Sequence, residues 1–462
     1  MKALKYIWLT CLAIITVGFV SCSDDDDVDT KGIKVTQIYL EDAGATVTDR
    51  PVDFVRLGQL IRIEGSGFEG LMKLYINGYD TYFNTAYITD NSMLVQVSSK
   101  TPVSTADESV RNTIRFVKKG SEYTHPFTIR AASPYISSFS NTLPMPGETV
   151  IVKGGNLEET SEVTLPGGVV VTDITNAPEE ESGEWFSFVM PTGVSEGGSV
   201  TMVGANGTAV SAEYFNNKNC MILDFDGNGT QGFWSWSETG SMIDDTDLVD
   251  DPLGSRGKVV EIVPKRLLDA GVAASKPRVS ECWTAGNDDA ADDWSRMYPY
   301  IPETTPLTDI AFQFDIYVPK PWSGTGHIQV CLFNNFNFAG IGSDDDGDSN
   351  QVAFYCPWIQ DGKVVPFVTN GWETVTIPLS EFNKYAVLIA DGETPTFADV
   401  VADRNASSYR NFGMGFVNTD FTYQDVAVSS TVFSTPIYLD NWRIVPCKST
   451  TISDFPDEEE AE

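Results

Sequence analysis

The chain is poor in histidine and in basic residues, and it has no paired cysteine motif. Only His125 and His327 are histidines among 462 residues, so a site built on several histidines has almost no material. None of the seven cysteines forms a CxxC pair, which excludes zinc-ribbon and thioredoxin-like sites. Lys and Arg number 30 against 65 Asp and Glu, a net charge of −35 that disfavours nucleic acid and anionic polysaccharides and is compatible with a neutral ligand.

Long hydrophobic runs are also scarce. Residues 7–19 form one apolar run, shorter than the roughly 20 residues that span a bilayer, so a signal peptide over residues 1–21 is favoured over a transmembrane anchor. The small residues before Cys22 resemble a lipobox, and the Ser-Asp run after it resembles the surface-export signal of Bacteroidetes lipoproteins. The resemblance implies lipidation at Cys22, an acidic tether over residues 22–33, and an outer-membrane location facing the cell exterior.

From residue 34 the chain alternates apolar and polar residues with period two, and turn residues separate the runs. Asn77-Gly78 between two such runs is typical of a β-hairpin. The segment 57–68 is echoed by 145–157, each a strand that ends in a Gly-rich corner, and both resemble immunoglobulin-like IPT/TIG domains. We therefore expect two tandem sandwiches, over residues 34–131 and 132–217, with a fairly stiff joint at Ser133-Pro134.

Composition changes after residue 217. Eight of the ten tryptophans follow this point, and strand-like segments continue. The pattern predicts an all-β protein whose last domain, residues 218–448, is a larger β-sandwich, jelly-roll-like and similar to carbohydrate-binding modules. Residues 449–462 are predicted to form a disordered, solvated acidic tail.

Aromatic residues in polar segments are the main candidates for ligand binding, because a sugar presents an apolar face to a ring and hydroxyls to nearby polar groups. The alternative for each is ordinary packing under a loop. Trp372 and Trp442 lie in or at amphipathic strands and are expected in the core. The candidates for stacking are Trp294, Trp322 and Trp358, followed by Trp283, Tyr298 and Tyr355.

Metal-binding and catalytic motifs are incomplete. The segment that begins at Asp224 opens like a calcium loop but lacks the closing glutamate, so a structural calcium shared by Asp224 and Asp440 is the one cofactor hypothesis. The acidic cluster at 344–348 is interpreted as a solvated loop. No HExxH, GxSxG or Glu-x-Asp-x-x-Glu motif occurs, although isolated catalytic carboxylates stay open as an alternative.

The whole arrangement resembles the SGBP-B type of surface glycan-binding proteins from Bacteroidetes polysaccharide-utilization loci. The strongest local resemblances lie in residues 318–324, 371–382 and 438–443. The resemblance implies a non-catalytic lipoprotein whose last domain binds a neutral polysaccharide such as xyloglucan or mixed-linkage glucan, with the Ig-like domains as spacers. It also implies a TonB-dependent transporter complex as a partner. An extracellular glycoside hydrolase or lyase is the alternative, and an adhesin or structural protein is a further one.

Overall fold

The computed structural model describes residues 32–42, 47, 49–232, 242–262, 278–334, 341 and 351–455. The predicted signal peptide, Cys22, most of the tether, the 344–348 cluster and residues 456–462 lie outside these ranges. Within them, no helix has both the length and the apolar character needed to cross a membrane. The chain divides into two compact units, residues 1–129 and 130–462, which are described separately.

The first unit holds the first predicted module. Two four-stranded antiparallel sheets, in the orders β2-β1-β4-β7 and β6-β5-β8-β9, accompany the short pair β10-β3. Asn77 and Gly78 both take positive φ between β5 and β6, as the predicted hairpin turn requires. The strands are β1 (Lys34–Glu41), β2 (Arg50–Pro51), β3 (Phe54–Arg56), β4 (Leu60–Ser66), β5 (Leu71–Ile76), β6 (Tyr79–Asp80), β7 (Ser92–Gln96), β8 (Thr113–Lys118), β9 (Ser121–Pro126) and β10 (Thr128–Arg130).

The second module, residues 132–217, repeats this design, as the echoed sequence segments predict. Its sheets have the orders β11-β12-β16-β15 and β14-β13-β17-β18. Gly65 of β4 and Gly154 of β12 occupy equivalent places, because an added Cβ at either would lie 1.9 Å from a carbonyl oxygen of the paired strand. The strands are β11 (Tyr135–Phe139), β12 (Thr149–Gly155), β13 (Glu162–Leu165), β14 (Val169–Val171), β15 (Ile174–Asn176), β16 (Trp185–Val189), β17 (Thr201–Gly204) and β18 (Gly207–Val210).

The last module, residues 218–448, is a β-sandwich with two α-helices among its described residues, which confirms the predicted all-β class. One sheet has the order β20-β21-β32-β23-β28 with β19 also paired to β32, and the other has the order β22-β29-β24-β25. The elements are β19 (Met221–Leu223), β20 (Val249–Asp250), β21 (Lys258–Ile262), β22 (Arg278–Trp283), β23 (Ile310–Tyr317), β24 (His327–Cys331), β25 (Val352–Tyr355), β26 (Ile359–Gln360), β27 (Lys363–Val364), β28 (Glu373–Pro378), α1 (Asn383–Ala390), α2 (Phe397–Ala406), β29 (Gly413–Val417), β30 (Phe421–Tyr423), β31 (Val426–Val428) and β32 (Ile437–Pro446).

The second and last modules pack together within one compact unit. Ala311 and Val445 of the last module belong to the hydrophobic core of the second. Arg443 Nη2 donates to the Thr142 hydroxyl at 2.7 Å and to Asp315 Oδ1 at 3.0 Å, and both charged side chains are fully buried. The last module is therefore not a separate body, which differs from the expectation that the Ig-like domains are only spacers.

The beginning of the predicted tail is ordered against the second module. Thr450 forms an isolated antiparallel β-bridge with Val210. Residues 449–452 line a cleft with residues 133–137, where the chain enters the second module. Residues 449–452 therefore contact the second module, while each of them is exposed to solvent. All five cysteines downstream of Cys22 are free thiols in the structure: Cys220, Cys282, Cys331, Cys356 and Cys447.

Candidate functional site

Three of the predicted stacking tryptophans are core residues. Trp294, Trp322 and Trp358 are at most 1% exposed and belong to the main hydrophobic core. The Trp322 and Trp358 indoles donate to the carbonyl oxygens of Thr325 and Gly326, at 2.9 and 3.0 Å. The prediction that these rings form an exposed platform is wrong, because all three rings pack inside the core, and backbone carbonyls of the neighbouring segments satisfy the indoles of Trp322 and Trp358.

The two predicted tyrosines are half-buried and pack against the core. The Tyr298 ring meets Phe397 edge-on at 5.8 Å, and the Tyr355 ring meets Phe314 edge-on at 5.7 Å. Burial is the main cause that raises the pKa of each phenol. Neither ring lies in the cluster that contains Trp283.

Trp283 differs from the other predicted tryptophans because it lies on the opposite face of a sheet from the core. Along β22, Cys282 points into the main core, whereas Trp283 belongs to a separate cluster with Cys331, Val352 and Val417. The same alternation on β24 sends Ile328 and Val330 to the core. Because neighbouring residues of a strand point to opposite faces, the remaining positions define a second face of the β22-β29-β24-β25 sheet.

We call this second face the outer face and define it by Glu281, Trp283, His327, Gln329 and Phe354. Glu281 and Gln329 are both paired with Gly415 of the intervening strand, and Gln329 is paired with Phe354 on its other side. The register therefore aligns a carboxylate, an amide and an aromatic ring in one row across four strands. Adjacent strands are about 4.8 Å apart, so the row spans a length suited to a small ligand.

The next row of the outer face contains Gly413. Gly413 lies between Trp283 and Cys331, and a Cβ at Gly413 would meet indole atoms of Trp283 at 2.1 to 2.6 Å. The indole therefore lies directly on the Gly413 backbone. Its Nε1 donates to Glu281 Oε2 at 3.0 Å, so the ring and the carboxylate are held in one arrangement.

His327 lies on the outer face between two aromatic rings. Its ring meets Phe354 and Phe421 edge-on, at centroid distances of 5.6 and 4.9 Å. Burial lowers the pKa of His327 to about 3, so the imidazole is neutral at physiological pH and offers one donor and one acceptor. Neither ring nitrogen makes a hydrogen bond in the structure, within the part of the chain that it describes.

One end of the β22-β29-β24-β25 sheet carries an exposed aromatic residue that the sequence analysis did not select. Tyr409 is 45% exposed, and its carbonyl oxygen accepts from Asn334 N, three residues beyond the end of β24. The amide of Asn287 donates to the neighbouring Ser408 carbonyl at 2.8 Å. The signal that could have identified Tyr409 is its place between Ser407-Ser408 and Arg410-Asn411, the same polar context that was misleading for the tryptophans.

The outer face has the chemistry of a polyhydroxylated ligand site. Glu281 accepts hydrogen bonds, Gln329 and His327 can both donate and accept, and the rings of Trp283 and Phe354 offer apolar surface. Glu281, Trp283, Gln329 and His327 are 5%, 1%, 1% and 0% exposed, so a ligand would contact them only in a conformation in which this face is uncovered. Glu281 is the only carboxylate among the residues that define this face, whereas glycosidases use a pair of carboxyl groups.

The two predicted calcium ligands, Asp224 and Asp440, have different hydrogen-bond partners. Asp440 Oδ2 lies 3.4 Å from Arg256 Nη1 and accepts from the Asn441 amide, inside the junction of the last two modules. The Asp224 carboxylate instead accepts from the backbone of Asp226 and Asn228 within its own turn. Across the described ranges, no three His, Cys, Asp or Glu side chains gather where they could hold a metal ion. A structural calcium shared by Asp224 and Asp440 therefore stays a prediction.

Comparisons with known proteins connect the last module to a family. A family model described as the surface glycan-binding protein B xyloglucan binding domain matches residues 215–446, half of the chain. A curated IPT/TIG domain-containing protein of Bacteroides ovatus is 26% identical over 215 residues, which are 46% of this chain and 40% of that protein. The chain therefore spans less than half the length of this relative.

Solved structures extend the likeness to the whole fold. The surface glycan-binding protein PbSGBP-B from Prevotella bryantii has a TM-score of 0.58 to this chain at 18% identity, covering 91% of this chain and 100% of that one. An SGBP-B from a complex xyloglucan utilization locus in Bacteroides uniformis has a TM-score of 0.44 at 17% identity, covering 90% and 100%. The first of these shows a shared fold.

Proposed function

The chain belongs to the surface glycan-binding protein B family, and on this premise we propose that it binds a neutral β-glucan, xyloglucan or mixed-linkage glucan, at the outer face. The observation that carries the proposal is the row formed by Glu281, Gln329 and Phe354, with Trp283 and His327 beside it, in the module that the family model matches. The net charge of −35 favours a neutral ligand over an anionic one.

Binding at this face would combine ring contacts with directional hydrogen bonds. Trp283 and Glu281 are 1% and 5% exposed, so both would first have to be uncovered. The indole of Trp283 would then support the apolar face of a sugar, and Glu281 would accept hydrogen bonds from hydroxyls. Because the family is one of glycan-binding proteins, the role is retention of the polysaccharide and not its cleavage. A reducing-sugar assay on the same glucans should detect no release of new ends.

The Glu281→Gln substitution tests the site with little change in shape. Gln keeps an acceptor for the Trp283 indole but removes the charge that strengthens hydrogen bonds to sugar hydroxyls. Such charge-assisted bonds contribute about 1.5–3 kcal/mol, so we expect affinity for the preferred glucan to fall about ten- to a hundred-fold. Isothermal titration calorimetry on a panel of xyloglucan, mixed-linkage glucan and pectin measures this effect.

Tyr82→Ala is the matched control for these measurements, since Tyr82 is 83% exposed and belongs to the first unit. It should bind as the unmodified protein does. A folded Glu281→Gln variant with unchanged affinity would place the binding site elsewhere.

We further infer that the protein is a lipoprotein, attached through Cys22 to the outer membrane and facing the exterior, where it works with a TonB-dependent transporter. The lipobox-like segment before Cys22 and the acidic run after it support this proposal. Cys22→Ala should release the folded protein from the membrane fraction. Replacing Asp24–Asp27 with Ala should leave the protein anchored but protected from protease added to whole cells.

A further inference from the structure

A second cleft, of about 580 Å³, lies between the second and last modules. Ser138 and Phe139 of β11 line one wall, and Thr374 and Thr376 of β28 line the other. Both walls belong to the same compact unit. The volume falls within the roughly 300–1,000 Å³ that is usual for small-molecule sites.

Direct hydrogen bonds between the modules hold the cleft in shape. Thr374 N donates to the Ser140 carbonyl at 2.8 Å, and Thr142 N donates to the Thr374 hydroxyl at 2.9 Å. Arg443, fully buried, donates to the Thr142 hydroxyl at 2.7 Å and fixes the base of the junction. A ligand would therefore meet a preformed site and would not have to order the two modules first.

The lining of the cleft is rich in hydroxyl groups and electrically balanced. Seven of its fourteen residues are Ser or Thr, and Phe139 and Tyr214 add an aromatic pair at 5.8 Å. Lys153 and Glu373 are its only charged residues. Burial raises the pKa of Glu373 and the nearby Lys153 opposes this rise, so the two charges offset each other.

We propose that this cleft is a second binding site, which takes a short neutral oligosaccharide. An anion would meet Glu373 and a cation would meet Lys153, while an apolar ligand would leave the hydroxyls without partners. A sugar can instead exchange hydrogen bonds with Ser138 and Thr376, whose side chains are exposed in the cleft, and lie against Phe139. The ligand class follows from the proposed function, but the site is separate from the outer face.

Two binding sites within one compact unit would change how a polymer binds. Once a long glucan occupies the outer face, its next segments reach the cleft at a raised effective concentration. The polymer should therefore bind more tightly than an oligosaccharide that fills one site. The second module would then contribute directly to glycan retention.

The Ser138→Arg substitution tests the site, because it places a long cationic side chain in the cleft. Ser138 is exposed on its strand, and its hydroxyl makes no hydrogen bond in the described structure. Thr175→Arg is the matched control, exposed on β15 at the far edge of the same sheet and outside the cleft lining. Lys153→Glu, also exposed, is a second variant that turns the balanced charge pair into two carboxylates. Native mass spectrometry counts bound xylogluco-oligosaccharide or mixed-linkage oligosaccharide, and affinity electrophoresis measures polymer binding.

The unmodified protein and Thr175→Arg should bind two oligosaccharides, and the two cleft variants should bind one. Polymer affinity should fall about tenfold in the cleft variants. One bound oligosaccharide in all four proteins, with unchanged polymer affinity, would overturn the cleft site and leave the outer face intact. No binding to the unmodified protein would instead refute the proposed function, and the cleft with it.

Discussion

Asp315 and Asp440 face the same guanidinium group, and the pKa values of their carboxyls shift in opposite directions. Arg256 Nη1 lies 2.5 Å from Asp315 Oδ2 and 3.4 Å from Asp440 Oδ2. Burial raises the pKa of Asp315, but Arg443 and Arg256 outweigh it and the net shift is downward. For Asp440, burial is the largest cause and raises the pKa of the carboxyl. Arg256 lowers this pKa and Asp315 raises it, and the net result is a pKa of about 7.

Asp440 is therefore expected to limit stability at neutral pH. A carboxyl whose pKa is raised by folding stabilises the protein below its unfolded pKa of about 3.9, and this stabilisation is lost as pH rises through about 7. Asp440→Asn removes the titration. The unmodified protein should lose about 2–4 kcal/mol more free energy of unfolding than the Asp440→Asn variant when the pH rises from 4 to 8. Urea denaturation at pH 4, 6 and 8 measures this difference, and a pH-independent difference would contradict it.

His327 should make the protein sensitive to acid. Burial lowers its pKa to about 3, so its contribution to stability is present above the unfolded pKa of about 6.5 and is lost as pH falls toward 3. When the pH falls from 7 to 4.5, the unmodified protein should lose about 3 kcal/mol more stability than the His327→Phe variant. Thermal melts of both proteins at the two pH values provide the measurement. Equal losses in the two proteins would show that His327 does not titrate in this way.

Trp322→Ala and Trp358→Ala should destabilise the last module. Both indoles are fully buried and hydrogen-bonded, and truncating a core tryptophan typically costs about 3–5 kcal/mol. Chemical denaturation should show the loss, whereas Tyr82→Ala, at an exposed ring, should stay within about 0.5 kcal/mol of the unmodified protein. Unchanged stability in the tryptophan variants would return these rings to the list of stacking candidates.

Tyr409→Ala should weaken glucan binding without loss of stability. An exposed ring adds little to the core, but stacking on an aromatic ring contributes about 1–3 kcal/mol by analogy with nucleic-acid bases, or roughly ten- to a hundred-fold in affinity. Titration calorimetry and a thermal melt separate the two effects. Tyr409→Phe keeps the ring and should retain most of the affinity, so equal losses in both variants would argue against stacking.

The last module should need the second one for stability. A protein limited to residues 218–448 exposes Ala311 and Val445, and it removes Thr142 from the buried Arg443–Asp315 pair. We expect a lower melting temperature than for residues 130–455, because the buried Arg443 guanidinium loses a hydrogen-bond acceptor and apolar surface becomes exposed. Equal melting temperatures would restore the interpretation of the Ig-like domains as independent spacers.

The sequence predicts the strands better than it predicts the site. Period-two alternation locates β4 and β7 because burial on one face leaves a local pattern. The segments around Trp322 and Trp358 are polar in sequence although both rings are buried. Nearby backbone carbonyl oxygens accept hydrogen bonds from the two indole N–H groups inside the fold. Glu281, Gln329 and Gly415 form one row only through strand register, and these residues are more than 40 positions apart in the chain. No local pattern could bring them together.

The larger sheet of the last module can form only after β32 is available, because this strand lies in its interior. This strand, the last that the structure describes, pairs with β19, β21 and β23, and its Arg443 also donates a hydrogen bond to the second module. The six-stranded sheet and the junction between the modules therefore stay open until residue 446 is available. Contacts so distant in sequence form slowly, because a long loop must close before they stabilise anything.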